Sequence, residues 1–266
     1  MELLETDGGR IAFDRAGEGP ALLLLHGAVS DRRVWRATID AFADEFTVVA
    51  WDAPGCGASF DPPDTFRMPE FADCLAGFVR ALDLDRPHVL GHSWGSSLAL
   101  ELYRRHPELV ASLVLVGAYA GWAGSLPADE VARRLAFALE LAKLPAGAFE
   151  PTTMPGLFSD QMPAEQAVEL AGVMRSIRPA GTRSMAFALA EADQRDMLPT
   201  VAVPTLLVYG DADERSRLEV AESLHAAIPA ARLEVLPGLG HACFLEAPAR
   251  FDARVRRFLA SIEAGR

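Results

Sequence analysis

The chain has 266 residues, of which 50% are hydrophobic, so it can bury a full core and is too apolar to be disordered. Its 25 basic and 37 acidic side chains give a formal net charge of −12, which argues against nucleic acid or an anionic membrane surface as a partner. Three cysteines are too few for a disulfide framework, residues 1–7 lack the pattern of a secretory signal, and no apolar run is long enough to span a membrane. We therefore expect a soluble, cytoplasmic protein, and the sequence leaves its oligomeric state open.

The first part of the chain predicts a sheet edge that is followed by alternating strands and helices. Residues 1–19 alternate in polarity and turn at glycines, a pattern typical of an antiparallel hairpin. Apolar runs and helical spacing then predict strands at 21–25, 46–50 and 87–90 and helices at 33–42, 69–82 and 96–106.

The alternation of strands and helices continues to about residue 119, is interrupted as far as residue 199, and then resumes. Strands are predicted at 113–116, 205–209 and 233–236, and helices at 220–228 and 248–259. Strands that alternate with helices indicate an α/β fold with a mostly parallel, doubly wound sheet. The interrupting segment has helical patterns at 128–144, 164–177 and 180–193, separated by prolines. We predict a core of residues 1–120 and 200–266, and a helical cap insertion, residues 121–199, over one end of the sheet.

A strand-to-helix turn carries the first chemical signal. The segment Gly91-His92-Ser93-Trp94-Gly95 follows an apolar run and precedes a helical pattern, which is the setting of a nucleophile elbow. Glycines on both sides of such a turn leave room for the chain, and the turn presents the Ser93 hydroxyl above the end of the sheet. The alternative is a glycine-rich turn in which Ser93 only caps the helix.

A serine hydroxyl becomes a nucleophile only when a base takes its proton and an acid orients that base. In a parallel sheet these partners are expected in loops after later strands. Asp213 follows the strand at 205–209, and His241 follows the strand at 233–236 in a glycine-flanked loop. Asp211 is the alternative acid, although it directly follows the strand-end glycine and can serve the turn. The resulting order of serine, aspartate and histidine is the one expected for a triad on this architecture.

An oxyanion formed by attack at a carbonyl needs two backbone amides. One is expected from Trp94, the residue after the nucleophile, and the other from the loop after the His26-Gly27 pair. In that loop Ala28 is the first candidate and Val29 the second.

These motifs resemble the α/β-hydrolase fold superfamily in its capped, single-domain form. The resemblance rests on matches in order and approximate spacing at His26-Gly27, Asp52-x-x-Gly55-x-Gly57-x-Ser59, 91–95, Gly210-x-x-Asp213 and Gly238-x-Gly240-His241. The stretch GHSWGSSLALELYRRHPE is similar to the proline iminopeptidase branch, which however carries a Gly-Gly-Pro-Gly loop where this chain has Gly27-Ala28-Val29-Ser30. A serine nucleophile, rather than an aspartate, distinguishes the chain from the haloalkane dehalogenase and epoxide hydrolase branches.

The predicted cap is rich in adaptable apolar side chains, with five of the seven methionines of the chain. Such a cap suits a small-molecule substrate with an apolar acyl or alcohol group, although many of these residues would simply bury the cap against the sheet. Arg175, Arg178 and Arg183 could hold a substrate carboxylate or could be solvated. We predict a pocket that includes Val29, Trp122, Phe137, Met154, Phe158 and Met185.

The sequence thus predicts a serine hydrolase of carboxylic esters or lactones that needs no metal or organic cofactor. Three alternatives stay open. Hydrolysis of a C–C bond would use the same triad, and aminopeptidase action would need an acidic group such as Glu191 or Asp193 beside a substrate ammonium. The third alternative is a ligand-binding protein of the same fold without catalysis.

Overall fold

The computed structural model describes residues 1–6, 8–145, 147–150, 156–157 and 159–263. Within them lies an eight-stranded sheet with the spatial order β1-β2-β4-β3-β5-β6-β7-β8. The strands are β1 (Glu2–Thr6), β2 (Gly9–Ala16), β3 (Ala21–Leu25), β4 (Thr47–Trp51), β5 (His88–His92), β6 (Ser112–Val116), β7 (Thr205–Gly210) and β8 (Ala231–Leu236).

The first two strands form the predicted antiparallel hairpin, and the six strands β3 to β8 run parallel to one another. β2 joins the hairpin to this parallel part by pairing antiparallel with β4, in register from Phe13 opposite Trp51. The α/β class and the mostly parallel doubly wound sheet are therefore confirmed.

Helices cover both faces of the sheet, which explains the continuous apolar runs of its central strands. The helices are α1 (Arg36–Phe42), α2 (Met68–Ala81), α3 (Trp94–Arg105), α4 (Ala128–Leu141), α5 (Ala164–Arg175), α6 (Pro179–Glu191), α7 (Leu218–Ala227), α8 (Cys243–Glu246) and α9 (Pro248–Glu263). Alternate strand residues enter two hydrophobic clusters, as the two-residue period of a strand requires. Leu23 belongs to the cluster that contains Phe78 of α2 and Leu98 of α3, whereas Leu24 belongs to the cluster that contains Phe42 of α1 and Phe251 of α9.

The segment predicted as a cap contributes α4, α5 and α6, with α4 packed on α6 and α6 reaching α2 and α3. Its boundaries at 121 and 199 stay a prediction. Two local predictions differ from the structure. The predicted helix at 33–42 begins as a 3-10 turn, Arg32–Trp35, and the short α8 was not predicted because four residues are too few to show a helical period. No helix among the described residues is long and apolar enough to cross a membrane.

Candidate active site

Ser93 lies at the junction between β5 and α3 with a left-handed backbone, φ 53° and ψ −112°. A non-glycine residue in this region is strained, and such strain is found where the surrounding structure fixes the position of a side chain. Close packing fixes this one. A Cβ on Gly91 would lie 2.3 Å from the carbonyl oxygen of Gly95, and a Cβ on Gly95 would lie 2.3 Å from that of Leu25. Side chains at these two positions would push β3, β5 and α3 apart.

The loops after β7 and β8 bring Asp213 and His241 together. His241 Nδ1 lies 2.8 Å from Asp213 Oδ2, and both side chains are almost fully buried. Because a carboxylate only accepts hydrogen bonds, Nδ1 carries the proton and Nε2 of the neutral ring is left as a base. Asp213 Oδ1 accepts the backbone N–H groups of Arg215 and Ser216, each at 2.8 Å, so the carboxylate is held in place.

The alternative acid, Asp211, serves the turn instead. Its Oδ1 accepts the backbone N–H of Gly238 at 2.6 Å, which ties the loop after β7 to the loop after β8. Asp211 is exposed, whereas Asp213 points inward to His241. The two aspartates of one loop thus have different partners.

Two backbone amides near Ser93 are available to an incoming oxyanion. Among the described residues, neither the N–H of Ala28 nor that of Trp94 donates to an acceptor. Trp94 is the first residue of α3, where N–H groups have no partner within the helix. Val29, next to Ala28, has a positive φ of 54°, which is unusual for a β-branched residue and marks a constrained loop.

Two further histidines support these loops. His26 donates from Nδ1 to the carbonyl oxygen of Gly27 and accepts the N–H of Ala53 at Nε2, so it shapes the loop beside the elbow. His92 Nε2 lies 3.0 Å from the backbone oxygen of His241, and the two rings are 4.8 Å apart. Burial lowers the pKa of both His26 and His92, which favours their neutral forms. Although His92 adjoins Ser93 in the turn, its side chain packs against His241 and lines the cavity.

A cavity of about 460 Å³ opens between the sheet end and the helices of the predicted cap. From the core it is lined by Ala28, Val29, Ser93 and His241. Its other lining residues are His92, Tyr119, Trp122, Glu130, Arg133, Arg134, Phe137, Ala138, Leu141, Leu157, Thr182, Ala186, Leu189, Glu214, Arg215 and Arg217. The cavity therefore has an apolar body with a group of charged side chains.

Of the predicted pocket residues, Val29, Trp122 and Phe137 line this cavity, and Met185 does not. Met185 is 1% exposed, and its sulfur lies 3.8 Å from Cys56 Sγ in the core. It faces the sheet because α6 must bury its own apolar side. The Trp94 ring is likewise a core group, packed edge-on against Phe71, so only its backbone reaches the site. Met154 and Phe158 lie outside the described residues.

The arginines suggested from the sequence lie elsewhere, and four others line the cavity. Arg175 pairs with Glu150, Arg178 with Asp61 and Arg183 with Asp64. The cavity arginines are Arg133, Arg134, Arg215 and Arg217. The acidic candidates for an aminopeptidase do not line the cavity either, and Glu191 pairs with Arg67 and Asp193 with Arg195.

Arg134 holds the charged side of the cavity together. Its guanidinium bonds Glu130 at 2.5 Å, the Tyr119 hydroxyl at 3.0 Å and the backbone oxygen of Arg215 at 2.8 Å, and it stacks near Trp122. This links α4 to the loop after β7. The sequence held a signal for these residues, because Glu130, Arg133, Arg134, Phe137, Ala138 and Leu141 recur at helical spacing along one face of α4.

No cluster of three or more His, Cys, Asp or Glu in the described ranges is arranged to hold a metal ion. The thiols of Cys56 and Cys243 are buried, and burial raises the pKa of each. Neither thiol is a candidate nucleophile, because the reactive form is the thiolate.

Comparison with known proteins identifies the family. The model of the alpha/beta hydrolase fold family matches residues 20–248. A pimeloyl-[acyl-carrier protein] methyl ester esterase from Aeromonas hydrophila is 30% identical over 262 residues, which cover 94% of this chain and 99% of that protein. A proline iminopeptidase from Heyndrickxia coagulans is 35% identical over 116 residues only, 42% of this chain and 40% of that protein.

Among solved structures, a malate-bound thermophilic esterase from Thermogutta terrifontis superposes with a TM-score of 0.89 and 27% identity, covering 98% of both chains. The predicted membership of the superfamily is therefore confirmed. The alignment with the iminopeptidase spans less than half of each chain.

Proposed function

The chain belongs to the α/β-hydrolase family, and from this premise we propose that it is a serine hydrolase that cleaves carboxylic esters or lactones of small molecules. The observation that carries the proposal is the convergence of Ser93 and the Asp213-bound His241 on one cavity. Hydrolase and esterase relatives that match nearly the whole chain support the reaction class.

In the proposed reaction, Ser93 Oγ attacks the carbonyl carbon while His241 Nε2 takes the hydroxyl proton. Asp213 stabilises the imidazolium that forms and keeps Nε2 facing the nucleophile. The amides of Ala28 and Trp94 bind the oxyanion of the tetrahedral intermediate. When this intermediate collapses, the C–O bond to the alcohol breaks and His241 gives its proton to the leaving oxygen. Water, deprotonated by His241, then attacks the acyl carbon. When the second tetrahedral intermediate collapses, the bond from this carbon to Ser93 Oγ breaks, His241 returns its proton to Oγ, and the carboxylic acid leaves.

The surroundings of the cavity favour this reaction over aminopeptidase action. Glu191 and Asp193, the side chains expected to hold a substrate ammonium, form salt bridges outside the cavity, and Glu130 on the cavity wall is bonded to Arg134. The cavity wall instead holds more arginines than glutamates, which repels a cation. The apolar part of the wall, with Trp122, Phe137 and Leu189, suits an acyl or alcohol chain.

The proposal is tested with a Ser93→Ala variant and p-nitrophenyl butyrate. We expect turnover to fall at least about 10³-fold, because removal of the nucleophile leaves only oxyanion stabilisation and binding. Ser261→Ala, which alters an exposed serine on α9, is the matched control and should retain full activity. A fluorophosphonate probe should label the wild type and the control but not Ser93→Ala.

The other reactions are outcomes of the same experiment. A wild-type protein that is not labelled by the probe and cleaves no ester would be a binder of the same fold and would overturn the proposal. Turnover of a vinylogous diketone, with little activity toward esters, would indicate C–C hydrolysis by the same residues. Cleavage of a proline anilide in preference to esters would indicate an aminopeptidase.

A further inference from the structure

The wall of the cavity carries positive charge in a protein that is acidic overall. Four arginines line it against two glutamates, a formal excess of two positive charges, whereas the whole chain has a net charge of −12. The arginines come from two elements, with Arg133 and Arg134 on α4 and Arg215 and Arg217 in the loop before α7. The overall charge of the protein therefore does not account for the positive charge of the cavity wall.

The excess of two positive charges remains with both glutamates counted. Glu130 is already bonded by Arg134, which also holds Tyr119 and the backbone of the loop after β7, so this pair is part of the scaffold. Arg133 and Arg217 are different, because among the described residues no carboxylate lies within salt-bridge distance of either. Both are exposed at the cavity, where a bound anion can reach them.

The alternative is that Arg133 and Arg217 are ordinary solvated side chains. Other exposed arginines without a salt bridge to a described residue, such as Arg10, Arg232 and Arg257, lie outside the cavity, whereas Arg133 and Arg217 both line it. Where two guanidinium groups without a salt bridge share one wall with apolar groups such as Trp122 and Leu189, an entering anion finds a net positive charge near a surface of low dielectric.

We propose that Arg133 and Arg217 bind a free carboxylate of the substrate, so that the preferred substrates are esters that carry a carboxylate remote from the scissile bond. This inference rests on the proposed hydrolase function and narrows its substrate class. The carboxylate belongs to the acyl part in a half-ester of a dicarboxylic acid, and to the leaving group in an ester of a hydroxy acid. The guanidinium groups accept either arrangement, because both present the same bidentate acceptor.

Two matched pairs of esters test the proposal. The acyl pair is mono-4-nitrophenyl adipate and 4-nitrophenyl hexanoate, which differ in the terminal carboxylate. The leaving-group pair is 4-(butanoyloxy)benzoate and phenyl butanoate. We expect kcat/KM in at least one pair to be about 10-fold higher for the anionic ester, and this preference to fall as ionic strength rises. An acidic protein without an anion site would favour the neutral ester of each pair.

The Arg133→Gln/Arg217→Gln double variant should reduce this preference to about twofold or less, through a higher KM for the anionic ester. Arg257→Gln, which removes an exposed positive charge from α9, is the matched control and should keep the preference of the wild type. Equal or lower kcat/KM for the anionic ester in both pairs would overturn the proposal, as would an unchanged preference in the double variant.

If the proposed hydrolase function is wrong, the four esters give a result that differs from the failure of the carboxylate site alone. A protein that cleaves none of the four esters lacks the proposed activity, and the anion site is then decided by binding. Adipate should quench or enhance the tryptophan fluorescence of the Ser93→Ala variant, to which Trp122 of the cavity wall contributes, and 1,6-hexanediol should do so far less. Equal effects of the diacid and the diol would overturn the carboxylate site independently of catalysis.

Discussion

The Nε2 atom of His92 lies 3.0 Å from the backbone oxygen of His241, so the residue before the nucleophile is bonded to the proposed base. A carbonyl oxygen only accepts hydrogen bonds, and Nε2 of His92 therefore carries the proton. Burial and the neighbouring His241 lower the pKa of His92 well below its usual value, which keeps the ring neutral. His92 thus positions the His241 loop without exchanging protons itself.

Replacement of His92 tests this positioning role. His92→Phe keeps an aromatic ring beside Phe244 but removes the donor to the backbone of His241. We expect kcat for p-nitrophenyl butyrate to fall about 10-fold, with KM within about twofold, because a small misplacement of a base affects the chemical step more than binding. His92→Gln, whose amide can donate to the same oxygen, should recover most of kcat. Equal kcat values for the two variants would contradict the role.

The two aspartates after β7 provide a paired test of the proposed acid. Asp213→Asn replaces the acceptor at His241 Nδ1 by a group that can donate, which favours the wrong tautomer. We expect kcat to fall about 10³- to 10⁴-fold. Asp211→Asn, which keeps an acceptor for the Gly238 amide, should retain most of the activity. The reverse order of the two effects would assign the acid to Asp211.

Much of the fold could be predicted because its signals are local. The apolar runs of β3, β6 and β7 are short, continuous and separated by helical patterns, which is how a covered parallel sheet appears in a sequence. The sequence indicates Ser93, Asp213 and His241 because each follows a strand, and parallel strands end at the same edge of the sheet.

The contacts of the charged side of the cavity could not be predicted in the same way, although helical spacing shows which residues of α4 share a face. The contact of Arg134 with Tyr119 and the backbone of Arg215 joins elements that are up to 81 residues apart, and no local pattern encodes that distance.

The position of Met185 could not be predicted for a different reason. An apolar residue in a cap can face the cavity or the core, and the choice depends on the orientation of α6, which pattern alone does not fix.

The three hydrogen-bonded contacts of Arg134, with Glu130, Tyr119 and the backbone of Arg215, should contribute to both protein stability and substrate binding. In Arg134→Lys a single ammonium replaces the planar guanidinium, so it cannot serve Glu130, Tyr119 and the Arg215 backbone together. We expect the free energy of unfolding to fall by about 1–3 kcal/mol, because at least one buried partner loses its hydrogen bond. KM should also rise, since the loop that carries Arg215 and Arg217 is loosened. Urea denaturation and ester kinetics measure the two effects. An unchanged KM in a destabilised variant would show that the contacts of Arg134 stabilise the protein without affecting substrate binding.

His26 should make the stability of the protein depend on pH. Its Nε2 accepts the N–H of Ala53, so the folded ring cannot take a second proton without losing that bond, and burial lowers its pKa. The unfolded chain binds this proton near pH 6.5, and the stabilisation from the neutral ring is therefore lost as pH falls below that value, by up to about 1.4 kcal/mol per pH unit.

The measurement compares the wild type with His26→Gln, whose amide can bond both Gly27 and Ala53 but does not titrate. Urea denaturation at pH 8, 7, 6 and 5 should show the wild type losing its stability advantage over the variant as the pH falls. Asp252, whose pKa burial raises to about 6, titrates in both proteins, so its contribution cancels in the difference. A stability difference that is the same at pH 8 and pH 5 would show that the His26 ring accepts the second proton without cost in the folded state.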